Sequence, residues 1–399
     1  MLTNELIAAP TASLKSYAEL YRQELTGNIL PFWLSHSKDE KNGGFFTCLD
    51  RQGNVYDTDK FMWLQGRQVW CFSYMYKNLA PQQEWLDMAL HGARFMQEHG
   101  RDEKGNWYFS LTAAGKPLVQ PYNIFSDCFA TMAFAALHKI QPNELYKDIA
   151  VSTFENILRR RNNTKGSYNK AYPGTRPLKN FSLPMILCNL SLELEDLLGS
   201  ERVDQFVPEI IHEVMDVFYH PELGVVLENV QPDGSFSDSF EGRVLNPGHT
   251  IEAMWFIMDL GKRRNDPALI QRAVDIMFDT LELGWDKEYG GIYYFLDVKG
   301  HPVQQLEWDQ KLWWVHVEAL VALAKAYAFT GDSRCIPWFK KLHQYTWDHF
   351  RDSEYGEWFG YLNRQGKVLL PLKGGKWKGC FHIPRSLYQV ATTLSSLES

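Results

Sequence analysis

Apolar and polar positions along this chain follow a repeating scheme. A stretch apolar or small on nearly every face, FMWLQGRQVWCFSYMYKNL, precedes one whose charges alternate with apolar residues at helical spacing, EWLDMALHGARFMQEH. The same order returns in SDCFATMAFAALHKI with ELYKDIAVSTFENILRR, and in HTIEAMWFIMDLGKR with PALIQRAVDIMFDTLEL. A helix apolar all round is covered on every side, whereas a one-sided stripe leaves a solvent face. Each pair therefore predicts a buried inner helix backed by an outer one.

Between the pairs lie turn-rich segments that resemble one another. They read DEKNGGFFTCLDRQGN (Asp39 to Asn54), DEKGNWYFSLTAAGK (Asp102 to Lys116), PELGVVLENVQPDGS (Pro221 to Ser235), DKEYGGIYYFLDVKGH (Asp286 to His301) and DSEYGEWFGYLNRQGK (Asp352 to Lys367). NNTKGSYNKAYPG, from Asn162 to Gly174, is a weaker copy. Their marker glycines, Gly44, Gly105, Gly166, Gly224, Gly291 and Gly356, recur about every 60 residues. Glycine in an aromatic run followed by N-G, D-G or Q-G punctuation predicts short β-hairpins. Six such units account for nearly the whole chain and predict an all-α fold. The expectation is one (α/α)6-barrel domain over residues 1–399, with short hairpins in the connections at one mouth. An open solenoid of helix pairs is the rival. It suits the pattern less well, because six buried inner helices need a common core and neither end reads as a polar cap.

Composition narrows the function classes. The 399 residues are 45% hydrophobic and 14% aromatic, with a formal net charge of −7 and a pI near 6.0. That charge leaves no footprint for nucleic acid or an anionic membrane. The opening MLTNELIAAPTASLKSYAEL lacks the basic start and unbroken apolar run of a leader. No stretch approaches the roughly 18 apolar residues of a spanning helix. Six scattered cysteines without a C-x-x-C pair read as reduced thiols, and the expected location is cytoplasmic.

The predicted geometry gathers candidate chemistry at one place. Each long connection precedes an inner helix, so residues at the starts of inner helices converge on one mouth. Helix N-termini there favour negative or partly negative oxygen. Roughly 22 to 27 residues after the marker glycines stand Arg67, Asp127, His249, His316, Glu318 and His382. Three of the 12 histidines fall at this position, two of them within NPGHTIE and GCFHIPR. A lone buried histidine is usually structural. Several at equivalent places in different repeats, with Arg and Glu alongside, point to function.

Histidine can both take and give a proton near neutrality. Arginine stays charged and holds a developing oxyanion with forked donors. Together they suit proton transfer at carbon 2 of an open-chain sugar, where the neighbouring carbonyl can become an enediolate. His249 and His382, on different inner helices, can flank such a substrate. Competing chemistries fit less well: H-E-x-x-H, G-x-S-x-G, a phosphate loop and G-x-G-x-x-G after a strand are all absent. A glycoside hydrolase could use the plentiful Asp and Glu, but it would leave the mouth histidines without a role.

At these residues a resemblance enters. Asn246-Pro247-Gly248-His249-Thr250-Ile251-Glu252, Leu312-Trp313-Trp314 through Glu318, and Lys378-Gly379-Cys380-Phe381-His382-Ile383-Pro384-Arg385 resemble the N-acylglucosamine 2-epimerases, over essentially the whole chain. NPGH-x-x-E also occurs in cellobiose 2-epimerases and mannose-type isomerases. GCFH-I-PR and NKAYPGTRPLKN (Asn169 to Asn180) are the more specific matches, the latter similar to bacterial members.

The resemblance implies an (α/α)6 barrel, commonly a homodimer, that interconverts N-acetylglucosamine and N-acetylmannosamine without metal or redox cofactor. It implies His249 and His382 as the two acid/bases and Arg67 as holder of the carbonyl or enediolate oxygen. Glu318 and Arg385 become essential pocket residues, and Glu252 the orienter of His249. Trp314, Trp377 and Tyr122 become candidate sugar platforms beside Asp127 and His316. Some relatives carry a further His at the third inner helix, where this chain reads Phe181-Ser182-Leu183-Pro184-Met185; that departure favours an acylated amino sugar over cellobiose. ATP as an unconsumed activator is a further implication, with Lys165, Lys170, Arg176 and Lys179 as its candidate phosphate holders. The alternatives are a carbon-2 epimerase or aldose–ketose isomerase for an unmodified sugar, and a non-catalytic interaction protein.

Overall fold

The structure, a computed structural model, describes residues 13–172 and 174–397. The opening residues read for a leader lie outside the described residues as far as residue 12.

Twelve helices build the barrel. The inner six are α2 (Met62–Asn78), α4 (Phe125–Ile140), α6 (Ser182–Glu193), α8 (Pro247–Arg263), α10 (Trp313–Thr330) and α12 (His382–Ser396). The outer six are α1 (Leu14–Glu24), α3 (Gln83–His99), α5 (Glu144–Arg160), α7 (Ser200–His212), α9 (Pro267–Gly284) and α11 (Cys335–Phe350). Local chemistry starts several of them: Ser13, Asn143, Asn246 and Asp266 each accept a backbone N–H of the first turn. Pro247 and Pro267 occupy the first helical position, where no amide donor is needed. α10 is buried along nearly its whole first four turns, whereas α3 and α9 bury a single face.

Each inner helix packs on the next, α2 on α4 through to α10 on α12. The ring then closes by side chains reaching from α12 and the residues just before it to α2. Trp70 meets Phe381 at 5.2 Å and Tyr74 meets Tyr388 at 5.3 Å between ring centroids. An open solenoid has no such contact between first and last repeats. The described residues also start on an outer helix, and α1 packs on α12. One helix pair is thus shared between the two ends of the chain, an arrangement the repeat pattern did not reveal.

All six marker glycines have positive φ, the conformation that favours glycine. In four units the leading aspartate folds its turn by accepting a backbone N–H two to four residues on: Asp39 from Asn42, Asp102 from Asn106, Asp286 from Glu288 and Asp352 from Glu354. Three of these aspartates also hold a buried lysine from the run into an inner helix: Lys60 on Asp39 at 2.7 Å, Lys311 on Asp286 at 3.1 Å, and Lys373 on Asp352 at 2.9 Å. In these three units the repeat therefore encodes a lock between the connection and the inner helix it feeds.

Two details differ from the repeat pattern. The weak copy from Asn162 to Gly174 forms no hairpin: Gly166–Tyr168 is a single 3-10 turn, and Lys179–Asn180 pairs instead with Asn229–Val230. Elsewhere, short strands also tie neighbouring connections together. Lys60–Phe61 pairs with Ser110–Leu111, Val244–Leu245 with Leu296–Asp297, and Lys311–Leu312 with Tyr361–Leu362. Single-repeat patterns cannot show a partner that lies some 50 residues away. Among the described residues no helix is long and apolar enough to cross a membrane, and all six cysteines are free and buried.

Candidate active site

The connections surround a cavity of about 570 Å³ over the N-terminal ends of the inner helices. Of the residues singled out from sequence, Arg67, His249, Glu252, Trp314, Trp377 and His382 line it. Its remaining wall is mostly aromatic and aliphatic, including Trp63, Trp313, Phe129, Met185 and Ile186. An apolar chamber with few convergent polar groups is the usual form of a small-molecule site.

The motif Asn-Pro-Gly-His is a helix start whose every member has a task. Asn246 is the N-cap of α8 and accepts the His249 backbone N–H at 3.1 Å. Pro247 opens the helix. A Cβ on Gly248 would stand 2.6 Å from Trp314 Cη2 and 2.7 Å from Val315 Cγ2, so only glycine lets the Trp314 ring lie against α8. That ring is the hinge of the site. Its centroid is 5.3 Å from the His249 ring and 5.8 Å from the His382 ring, tilted 38° to each. The two imidazoles therefore border one indole, and both face the same cavity.

Each imidazole is held through Nδ1. His382 Nδ1 lies 2.7 Å from Glu318 Oε1, and an ionised carboxylate can only accept. Nδ1 thus carries the proton and Nε2 is left to a substrate. Behind it, Arg385 Nη2 donates to Glu318 at 2.6 Å and to Glu252 at 2.5 Å, while Trp255 Nε1 donates to Glu318 at 2.9 Å. Glu252, Glu318 and His382 offer ligand atoms within 4.8 Å of one another, as a metal site would. Arg385 bonds both carboxylates and supplies the positive charge there. His249 Nδ1 lies 3.0 and 3.1 Å from the two carboxylate oxygens of Glu228.

These surroundings separate the two histidines. Burial pushes His382 down, and the charges of Arg67 and Arg385 add to that against Glu318, leaving it at about 3. Burial also pushes His249 down, but Glu228, with Glu252 behind it, more than offsets this and the net shift is upward. Neutral His382 and a more readily protonated His249 thus line one cavity with different proton affinities. Glu318 is held below the usual carboxylate range by Arg385 and His382 despite its burial, whereas burial and the Glu318 charge raise Glu252.

Arg67 is buried, and among the described residues no carboxylate is in ion-pair contact with it. Its guanidinium lies 4.0 Å from the Phe129 ring, 4.4 Å from Trp63 and 4.9 Å from Phe381, and burial lowers it to about 9 against the pull of Glu252 and Glu318. Gly66 beside it is required for close packing, since a Cβ would meet the Phe129 carbonyl at 2.6 Å. A cation on aromatic rings, open to the cavity and unpaired, suits a developing oxyanion.

Several expectations need correction. Asp127 is fully buried, paired with Arg160 at 3.1 Å, and burial raises it to about 7 despite that arginine; it lies outside the cavity wall. His316 is also buried away from the cavity: Nδ1 donates to the Leu312 carbonyl at 2.7 Å and Nε2 accepts the Ile292 N–H at 3.0 Å. It braces the connection before α10. Glu318 and Arg385 stand behind His382 and do not line the cavity. Glu252, one helical turn past His249, serves Arg385, and the contact on His249 belongs to Glu228, which the sequence reading missed. Nothing in PELGVVLENV marks that glutamate, because only folding brings the connection over α8. Tyr122 packs on Phe109 at 5.2 Å, and it is Phe109 that meets Trp377, at 6.3 Å; Tyr122 is not on the cavity wall. The four basic residues make no joint phosphate cradle: Arg176 pairs with Glu241 at 3.0 Å, Lys179 with Glu213 at 3.2 Å, and Lys165 and Lys170 are exposed.

Comparison with known proteins agrees with this architecture. Residues 44–385 match the family model for N-acylglucosamine 2-epimerase (GlcNAc 2-epimerase). The chain is 39% identical to the mouse N-acylglucosamine 2-epimerase, over 96% of this chain and 93% of the mouse protein. It is 38% identical to the human one, over 97% and 92%. Among solved structures, cellobiose 2-epimerase from Bacillus thermoamylovorans superposes with a TM-score of 0.83 at 22% identity, covering 94% of this chain and 99% of that one. The chain belongs to the N-acylglucosamine 2-epimerase family and is an isomerase, a carbohydrate epimerase.

Proposed function

We propose that this enzyme interconverts N-acetyl-D-glucosamine and N-acetyl-D-mannosamine by moving the proton on carbon 2 of the open-chain sugar. One imidazole takes that proton, the charge that develops on the carbonyl oxygen is held by Arg67, and the other imidazole returns a proton to the opposite face. The observation that carries this reading is that His249 and His382, from different inner helices, both contact the Trp314 ring and line one cavity. Two-sided chemistry at one carbon needs two groups across one space, in opposite protonation states. Their environments favour that division. The acyl methyl would rest on Met185 and Ile186, hydrocarbon at the start of α6. The relatives named N-acylglucosamine 2-epimerase are also more similar in sequence than those named cellobiose 2-epimerase, 39% against 25% identical.

Incubation with N-acetylmannosamine in heavy water, followed at carbon 2 by NMR, tests the reading. Solvent deuterium at carbon 2 of both epimers is expected. A ketose product would make the enzyme an isomerase of aldose–ketose type, and no exchange with any aldose would leave a binding role. His249→Ala and His382→Ala should each fold and lose turnover by about 10³-fold or more; near-normal activity in either removes that histidine from the mechanism.

The homodimer and the activation by unconsumed ATP that the family resemblance implies belong to the same proposal, as does a cytoplasmic location, which free buried thiols suit. Sedimentation and nucleotide titration test the first two. The basic loop, with two of its four cations already paired, does not account for ATP by itself.

A further inference from the structure

We infer that Glu228 is a positioning residue for proton transfer, fixing the tautomer and ring plane of His249 as Glu318 does for His382. This rests on the two-histidine reading above. Both carboxylate oxygens of Glu228 approach one nitrogen, His249 Nδ1, at 3.0 and 3.1 Å. Among the described residues the ion pair Glu228 makes is with this histidine. Its carboxylate is nearly buried, so its charge is poorly screened.

The main chain of Glu228 is held from two other connections. Its N–H donates to the Val244 carbonyl at 3.3 Å, and its carbonyl accepts from Phe181 N–H at 3.0 Å and Asn180 Nδ2 at 3.3 Å. Residues leading into α6 and α8 therefore clamp it in place. His249 is pinned in turn at both ends, its backbone N–H on Asn246 and its Nδ1 on Glu228. Only Nε2 remains for a substrate carbon.

The two carboxylate–histidine pairs are not equal. Glu318 divides its charge among His382, Arg385 and Trp255, whereas Glu228 serves His249. The other titratable groups around His249 are Glu252 on its own helix, His382 on α12, and Tyr294, Glu307 and Tyr361 from the connections, which share its cavity. Arg67 on α2 lines the same cavity. From α6, Ser182, Met185 and Ile186 bring no charge, and Trp314 of α10 covers one border of the ring. Glu228 is the nearest fixed charge.

Glu228→Gln keeps the volume and an acceptor oxygen but removes the charge. A carboxylate at this range favours the imidazolium, so its loss should move the His249 limb of the pH–rate profile to lower pH by roughly one to three units. The sign is the same whether His249 acts as acid or base in the direction assayed. kcat should fall roughly 10- to 100-fold with KM changed less than about twofold, since Glu228 does not line the cavity. Glu228→Asp keeps the charge and should return the limb towards its original pH.

The experiment is pH-dependent epimerisation of N-acetylmannosamine by both variants, with NMR titration of the His249 ring. An unmoved limb and an unmoved His249 titration in Glu228→Gln overturn the assignment, as does an equal limb shift in Glu228→Asp. His249→Asn separates this from the parent reading. If His249→Asn stays active, the two-histidine mechanism falls; if it is inactive while Glu228→Gln titrates as wild type, only the role of Glu228 falls.

Discussion

Glu318→Gln perturbs a buried charge on which several donors converge. In the native barrel His382 Nδ1, Arg385 Nη2 and Trp255 Nε1 all close on Glu318 within 2.9 Å. The amide keeps the shape but carries no charge, and its NH2 must face at least one of those donors. A carboxyl drawn from 4.5 down to about 2 contributes on the order of 3 kcal/mol to stability at neutral pH. Breaking one member out of a buried charge pair costs a similar ~3–5 kcal/mol, so two independent routes predict the same loss. The folded pKa lies below the unfolded one. The stabilisation is therefore complete above about pH 5 and fades as pH falls towards 2. The stability gap between wild type and Glu318→Gln should narrow steadily across that window. Turnover should drop about 10³-fold at pH 7, because His382 loses the carboxylate charge that fixes its tautomer and must compete with Arg385 and Trp255 for the one amide oxygen that remains. Urea denaturation at pH 7, 5, 4 and 3, with epimerisation kinetics at pH 7, measures both effects. A gap that persists unchanged at pH 3, or a variant that turns over at the native rate, would refute the reasoning.

Two further substitutions separate chemistry from support. Arg67→Lys keeps the charge but loses the planar fork stacked on Phe129 and Trp63; kcat/KM should fall roughly 10²- to 10³-fold with little change in melting temperature, and a loss below about threefold would take Arg67 out of the oxyanion role. His316→Phe leaves the Ile292 N–H without its acceptor and should cost about 1–3 kcal/mol of stability while kcat changes less than about threefold. Because burial holds His316 at about 3, it contributes no titration between pH 5 and 8, and a stable variant with collapsed turnover would restore it to the site.

The helix pairs were legible in the chain because a helix covered on all sides must be apolar on all sides, and a backing helix need not be. The repeat was legible because each copy carries a glycine with positive φ, and four of them an aspartate that folds the turn. His249, His382 and Arg67 were found by position, since residues at inner-helix starts converge whatever their distance in sequence. Direction was not legible. Asp127 and His316 stand only one residue short of the offsets of Arg67 and His382, yet each points into packing, because a shift of one residue on a helix turns a side chain by about 100°. A resemblance told which residues belong to the set but not who touches whom, so Glu252 was read as the partner of His249. Sequence alone determined the architecture and the candidate proton-transfer residues, which depend on local periodicity and spacing. Tertiary structure alone decided the partners: Glu228 on His249, Arg385 between two carboxylates, and Trp314 between two imidazoles. Those contacts join residues 21 to 133 positions apart, and no local pattern carries the distance between side chains that meet only when the ring closes.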